Sequence, residues 1–145
     1  MIRLIVFFFF ATCISSTSWV STDLTGTWMN ADKDAHIKIY PSYGKFYGQV
    51  VWMKQPNDSV TGKPQLDKFN KDPKLRSRPV INMVIIKNLE FDAKDQEWSG
   101  GTIYNPKGGD SYDLYCKLID KSTLEVHFYM TVPTLGRTFN WTRVK

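Results

Sequence analysis

A chain of 145 residues, 42% hydrophobic and 23% charged, is one domain's worth of ordinary globular sequence. That balance excludes a disordered tail, a collagen and a disulfide-dense miniprotein, and a chain this long hides roughly two-thirds of its surface on folding, enough for a core without metal or disulfide. The net charge of +5 is too modest to mark a nucleic-acid binder.

Met1-Ile2-Arg3 is a short positive start, Leu4 to Ile14 is an apolar run, and Ser15-Ser16-Thr17-Ser18 is a string of small residues. This three-part order is that of a secretory signal peptide, with cleavage expected after Ser18, so residues 1–18 leave and 19–145 form the domain. The eleven residues of the run fall short of the roughly 20 needed to span a bilayer as a helix. An uncleaved anchor and a lipid on Cys13 are the alternatives. No other run approaches membrane length, so a soluble protein in the periplasm or secreted medium is expected.

Cleavage removes Cys13 and leaves Cys116 without an internal disulfide partner. Cys116 shares an alternating strand face with Tyr112, Leu114 and Leu118, and a free cysteine in such a place packs as a small hydrophobe.

From residue 25 onward the period is two, broken by turn residues. Strands are expected at 25–30, 35–40 and 45–53. Continuous apolar character at 80–86 suggests a strand buried on both sides. Residues 88–92 and 97–105 read as a hairpin, followed by 111–118, 124–131 and 137–144. The only helix signal is Asp72-Pro73-Lys74-Leu75, an N-cap Asp followed by Pro at the first helical position. Eight to nine short antiparallel strands with neighbouring connections predict an all-β, up-and-down barrel, whose closure removes aggregation-prone edges. A sandwich is the alternative.

One connection departs from the pattern. Residues 54–78 form a long polar loop, expected to lie across one barrel end as a lid or rim. Loss of Arg3 with the leader leaves 18 basic against 14 acidic residues. Lys63, Lys68, Lys71, Lys74, Arg76 and Arg78, against Asp67 and Asp72, carry that whole excess. Such a patch attracts anions, whether an anionic envelope component or the head of a ligand, or is simply a solvated loop.

Leu24-Thr25-Gly26-Thr27-Trp28-Met29-Asn30 resembles the opening strand of avidins, and Gly26-x-Trp28 resembles the start of lipocalins. The resemblance implies that Trp28 closes the barrel floor and that Arg143, in Trp141-Thr142-Arg143-Val144, packs across it. A guanidinium over an indole gains a cation–π contact while its NH groups satisfy carbonyls. Asn30 matches an avidin residue that binds the biotin ureido group. Asp34 falls where avidins place a Ser hydroxyl, and the other polar positions have no counterpart, so biotin is not the expected ligand.

A closer match covers nearly the whole chain after the leader. It is similar to the bacterial family of exported proteins catalogued as domain of unknown function 2147. The matching segments are His36-Ile37-x-Ile39-Tyr40, Gly44-x-x-Tyr47-Gly48-x-Val50-Val51-Trp52, Gly62-Lys63-Pro64-x-Leu66-Asp67-x-x-Asn70, Arg76-Ser77-Arg78-Pro79, Trp98-Ser99-Gly100-Gly101-x-Ile103-Tyr104-Asn105-Pro106 and Gly136-Arg137-Thr138-x-x-Trp141-Thr142-Arg143. The resemblance implies a small lipocalin-like barrel and export, and no known reaction. The chain departs from the family at Asn82, usually Gly, and at Met130 to Pro133.

The residues suggest no enzyme. His36 and His127 lack metal-ligand spacing with Cys or carboxylates. Asp67, Asn70 and Asp72 lack the spacing of a calcium loop, and capping explains them better. No phosphate-cradling glycine loop and no cofactor motif is present. What stands out is aromatic: five Trp and seven Tyr in the whole chain. If Arg143 points inward, alternation turns Arg137, Phe139 and Trp141 inward too. With Trp28, Trp52 and Tyr104 they would line a cavity for a small hydrophobic or anionic amphipathic ligand, its head met by Arg76 and Arg78 or by Arg137. The competing expectation is a filled barrel acting through loop 63–78 as an envelope interaction module.

Overall fold

Alternating burial along each strand places one face in a common core and leaves the other to solvent, and twisted sheets of this kind close on themselves. The computed structural model describes residues 24–145, so the apolar leader and its cleavage site lie outside the described residues. The described residues form β1 (Gly26–Met29), β2 (Ala35–Ser42), β3 (Lys45–Met53), β4 (Val84–Asp92), β5 (Glu97–Asn105), β6 (Asp110–Leu118), β7 (Thr123–Tyr129) and β8 (Arg137–Arg143). Each strand pairs antiparallel with the next, and β8 returns to β1 through Trp28↔Arg143 and Met29↔Thr142, giving a closed eight-stranded up-and-down barrel.

The strand count resolves to eight because two expected strands are one. Residues 84–92 run continuously as β4, with Asn88 at φ 61 forming a local kink that mimics a break. Residues 80–83 are a turn. Val80 donates to the Gln65 carbonyl, Asn82 to that of Val50, and Met83 to that of Val80. Asn82 stands at φ 65, a left-handed conformation that Asn tolerates, which explains how it serves here. The expected short turn after Asp72 is a 3₁₀ segment, Pro73–Leu75, capped by the Asp72 side chain accepting from the Lys74 amide. A second one, Pro133–Leu135, was not foreseen.

Two of the bulges in the barrel re-aim side chains named above. Between β2 and β3 the register moves from Ile37↔Val50 to His36↔Trp52, so one residue is inserted on β3. Between β5 and β6 it moves from Trp98↔Cys116 to Gly101↔Leu114, with Gly100 at φ 72 absorbing the extra residue.

The lower half of the barrel is solid. Trp28, Ile39, Phe46, Leu89, Trp98, Leu114, Cys116 and Leu124 are all buried there in one apolar cluster. Gly48 and Gly101 are required by it: a Cβ on either would come within 2.9 Å of Ile86 or Leu89. Burial of the Cys116 thiol pushes its pKa far up, which suits packing and opposes thiolate chemistry.

Trp28 and Arg143 close the floor. The Arg143 guanidinium lies 4.1 Å from the centroid of the fully buried Trp28 ring. Its Nη1 donates to the Thr25 carbonyl at 2.9 Å and its Nε to that of Lys121 at 2.6 Å, while the Trp28 indole donates to Leu24. One cation thus fills the barrel end and satisfies its loose carbonyls.

Candidate functional site

The opposite end is open. The β1–β2, β3–β4, β5–β6 and β7–β8 connections all emerge there, around a cavity of about 690 Å³. That volume lies in the range of small-molecule sites, roughly 300–1,000 Å³. Ile37, Ile103, Phe128, Phe139 and Trp141 give it an apolar depth, and Asn30, Asp32, Lys107, Thr131 and Arg137 give it a polar rim. The barrel is therefore both things the sequence allowed, filled below and hollow above.

β8 supplies one wall. Arg137, Phe139 and Trp141 alternate with the solvent-facing Thr138 and Asn140, so all three reach the cavity. Phe128 packs against both aromatic rings, 5.4 Å from Phe139 and 6.5 Å from Trp141 between centroids. The β7–β8 segment that forms the rim is held by His127. Its Nε2 lies 2.7 Å from the Pro133 carbonyl, which can only accept, so that nitrogen carries the hydrogen. In the neutral ring Nδ1 then accepts from the Thr138 hydroxyl, 2.7 Å away.

A strap crosses the mouth. Lys107, in the β5–β6 turn, donates to Asp34 in the β1–β2 turn and lies 3.9 Å from Asp32. These two turns stand on opposite sides of the closed barrel. Asp34 is itself fixed by the Asn30 amide, 2.7 Å away, and the Asn30 carbonyl oxygen accepts from the Asp34 and Ala35 backbone amides. Burial raises the Asp34 pKa, but the bonds from Lys107 and Asn30 and the Lys107 charge outweigh it and hold the carboxyl below its usual 3.8.

The long connection, residues 54–83, is a folded flap beside this opening. Asp67 is its centre. It is fully buried and accepts from Arg78 Nε at 2.9 Å, from Asn70 Nδ2 at 2.8 Å and from the Tyr104 hydroxyl. Lys71 pairs with Asp110 at 2.8 Å, and the Phe69 carbonyl sits where a Cβ on Gly109 would be. The flap is thus pinned to the β5–β6 side.

Of the residues read from the sequence as a ligand site, Tyr104, Arg137, Phe139 and Trp141 meet at the cavity. Trp28 does not; it lies in the floor beneath. Trp52 does not either: the β3 bulge turns it to the outer face, 42% exposed and packed against the His36 ring at 4.3 Å between centroids. Arg76 and Arg78 are away from the lining, because their Nε–H groups are taken up by the Asn70 carbonyl and Asp67 inside the flap. Lys107 and Phe128 were missed, and Asn30, noted only through the avidin resemblance, was not placed in the site. Phe128 carried a signal, since it shares a strand face with Leu124 and Val126. Lys107 carried none, because its partner is 73 residues away. Among the described residues no group of three or more His, Cys, Asp or Glu is placed to hold a metal ion.

A closed antiparallel barrel, sealed at one end by a Trp–Arg pair and open at the other over an apolar cavity, defines a small lipocalin-like protein. The chain belongs to the bacterial family described as "Uncharacterized protein conserved in bacteria (DUF2147)", whose model matches residues 26–143. Among solved structures it is similar to protein HP1028 from the human pathogen Helicobacter pylori, described as belonging to the lipocalin family. The two are 26% identical, with a TM-score of 0.71 over 84% of this chain and 83% of that one. No curated protein matches.

Proposed function

We propose that this chain is an exported binding protein for a small amphipathic molecule, held with its apolar body in the upper half of the barrel and its polar end at the mouth. The observation that carries this reading is the cavity itself: about 690 Å³ of aromatic and aliphatic depth under a polar rim, over a sealed floor. The leader-like residues 1–18 support export, and with it work in the periplasm or outside the cell. Native mass spectrometry of the protein purified from its own envelope tests the reading. A co-purifying small molecule, lost when Phe139→Trp fills the cavity, supports it. A clean unliganded mass across growth conditions, with no small molecule bound on titration, opposes it.

A second reading has its own support. The flap exposes Val60 (91%) and Phe69 (54%) close in sequence to Lys63, Lys68, Lys71 and Lys74. Apolar and basic groups side by side suit an anionic envelope surface. Sedimentation with anionic but not neutral vesicles, abolished by Lys63→Glu with Lys74→Glu, supports docking. Equal behaviour with both vesicle types sinks it.

A further inference from the structure

Arg137 opens β8 at the rim, lines the cavity and is exposed. Among the described residues its guanidinium makes no hydrogen bond, ion pair or ring contact. The other cation of the lining, Lys107, is already engaged by Asp34 and Asp32. Asp32, the acid of the rim, makes its ion pair with Lys107 at 3.9 Å and none with Arg137. Thr131 shares the rim and can add a hydroxyl donor. A guanidinium offers a planar fork that matches the oxygens of a carboxylate or phosphate. Below it, Phe139 and Trp141 follow on the same strand face. At about 3.4 Å per residue, Trp141 stands roughly 14 Å beneath Arg137.

On the reading that this cavity is a ligand site, we infer that its ligand is a single-chain anionic amphiphile. A carboxylate or phosphate monoester head sits on Arg137 and a medium-length acyl or alkyl body reaches down to Trp141. Arg137 then sets specificity for the head, and the apolar depth sets it for the chain.

Calorimetric titration of the delipidated protein with dodecanoate, dodecyl phosphate, dodecan-1-ol and inorganic phosphate tests this. At least one of the two anionic chains should bind about tenfold or more tightly than the alcohol, the usual weight of a charge-assisted hydrogen bond. The tighter of the two identifies the head as carboxylate or phosphate. Arg137→Gln should erase the preference by weakening the anions while leaving the alcohol within about twofold. The inference is overturned if the alcohol matches both anions in the unaltered protein, or if Arg137→Gln weakens all chains alike. It is also overturned if Lys107→Gln, rather than Arg137→Gln, removes the preference, or if inorganic phosphate alone binds as tightly as the chains. If no chain of either kind binds, the cavity reading itself falls and this inference with it.

Discussion

Arg143 occupies the space that a side chain on Gly26 would need: a Cβ there would stand 2.5 Å from Arg143 Nη1. Gly26 also holds φ at +143, a conformation nearly closed to other residues. The opening Gly-x-Trp and the terminal Arg are therefore one device. The glycine leaves the gap, the cation fills it, and the indole lies beneath.

Gly26→Ala should destabilise the fold by about 1–3 kcal/mol through strained backbone alone, with the displaced guanidinium adding to it. Arg143→Ala should cost about 2–4 kcal/mol, since it uncovers Trp28 and orphans two carbonyls. Urea unfolding measures both. A double variant costing much less than the sum would verify that they act on the same contact.

In the flap, Asp67 is fully buried while the Arg78 side chain is 39% exposed. Removing the cation strands a buried charge; removing the carboxylate leaves an arginine that water can reach. Arg78→Met should therefore cost about 3–5 kcal/mol and Asp67→Asn roughly half of that. Thermal unfolding of the two variants gives the order, and limited proteolysis at 54–66 should quicken in both.

Tyr104 reports on the same cluster. Burial first, then the adjacent Asp67 carboxylate, push its phenol up to about 12. A raised pKa contributes stability fully present below the unfolded value of 10.0 and lost as pH climbs towards 12. Ultraviolet titration should show Tyr104 ionising late, and Asp67→Asn should bring it back towards the ordinary value.

Asp34 works in the other direction. Its lowered pKa means that the strap's contribution is full above 3.8 and disappears as pH falls through the folded value below that. Lys107→Met should raise the Asp34 titration seen by NMR. As a largely exposed pair it should cost less than about 1 kcal/mol of stability, yet it should speed exchange of any bound ligand by removing a bar from the opening.

Gly136 is a further close approach. A Cβ there would meet both the His127 ring and the Phe128 carbonyl. Gly136→Ala should cost about 1–3 kcal/mol and displace the rim segment 130–136, read as lost stability together with altered His127 ring resonances.

Much of this was legible in the sequence. Alternation located every strand but β4 to within two residues, because half-buried strands repeat with period two. Gly26, Trp28 and Arg143 were legible as a closing set through the resemblance to lipocalins, and the guanidinium over the indole is the contact that resemblance implies. The misplacements trace to bulges. A strict count from Val50 puts Trp52 inside, and one inserted residue puts it outside. Gly100 similarly resets β5 and turns the Tyr104 hydroxyl towards Asp67. Of the apolar run at 80–86, residues 84–86 begin β4, while 80–83 are the turn that joins the flap to the barrel. Arg76 and Arg78 were read as free charges because their partners are set by the fold of the flap.

The sealed floor has a consequence for traffic. With Trp28 and Arg143 plugging one end, the barrel is a cup and not a conduit. Whatever enters must leave by the same door; in the pose inferred above, that is tail first going in and head first coming out. The protein therefore imposes no direction of flow by itself. Direction belongs to whatever loads it and whatever unloads it, and both would meet the same end of the ligand, the one left showing at the rim.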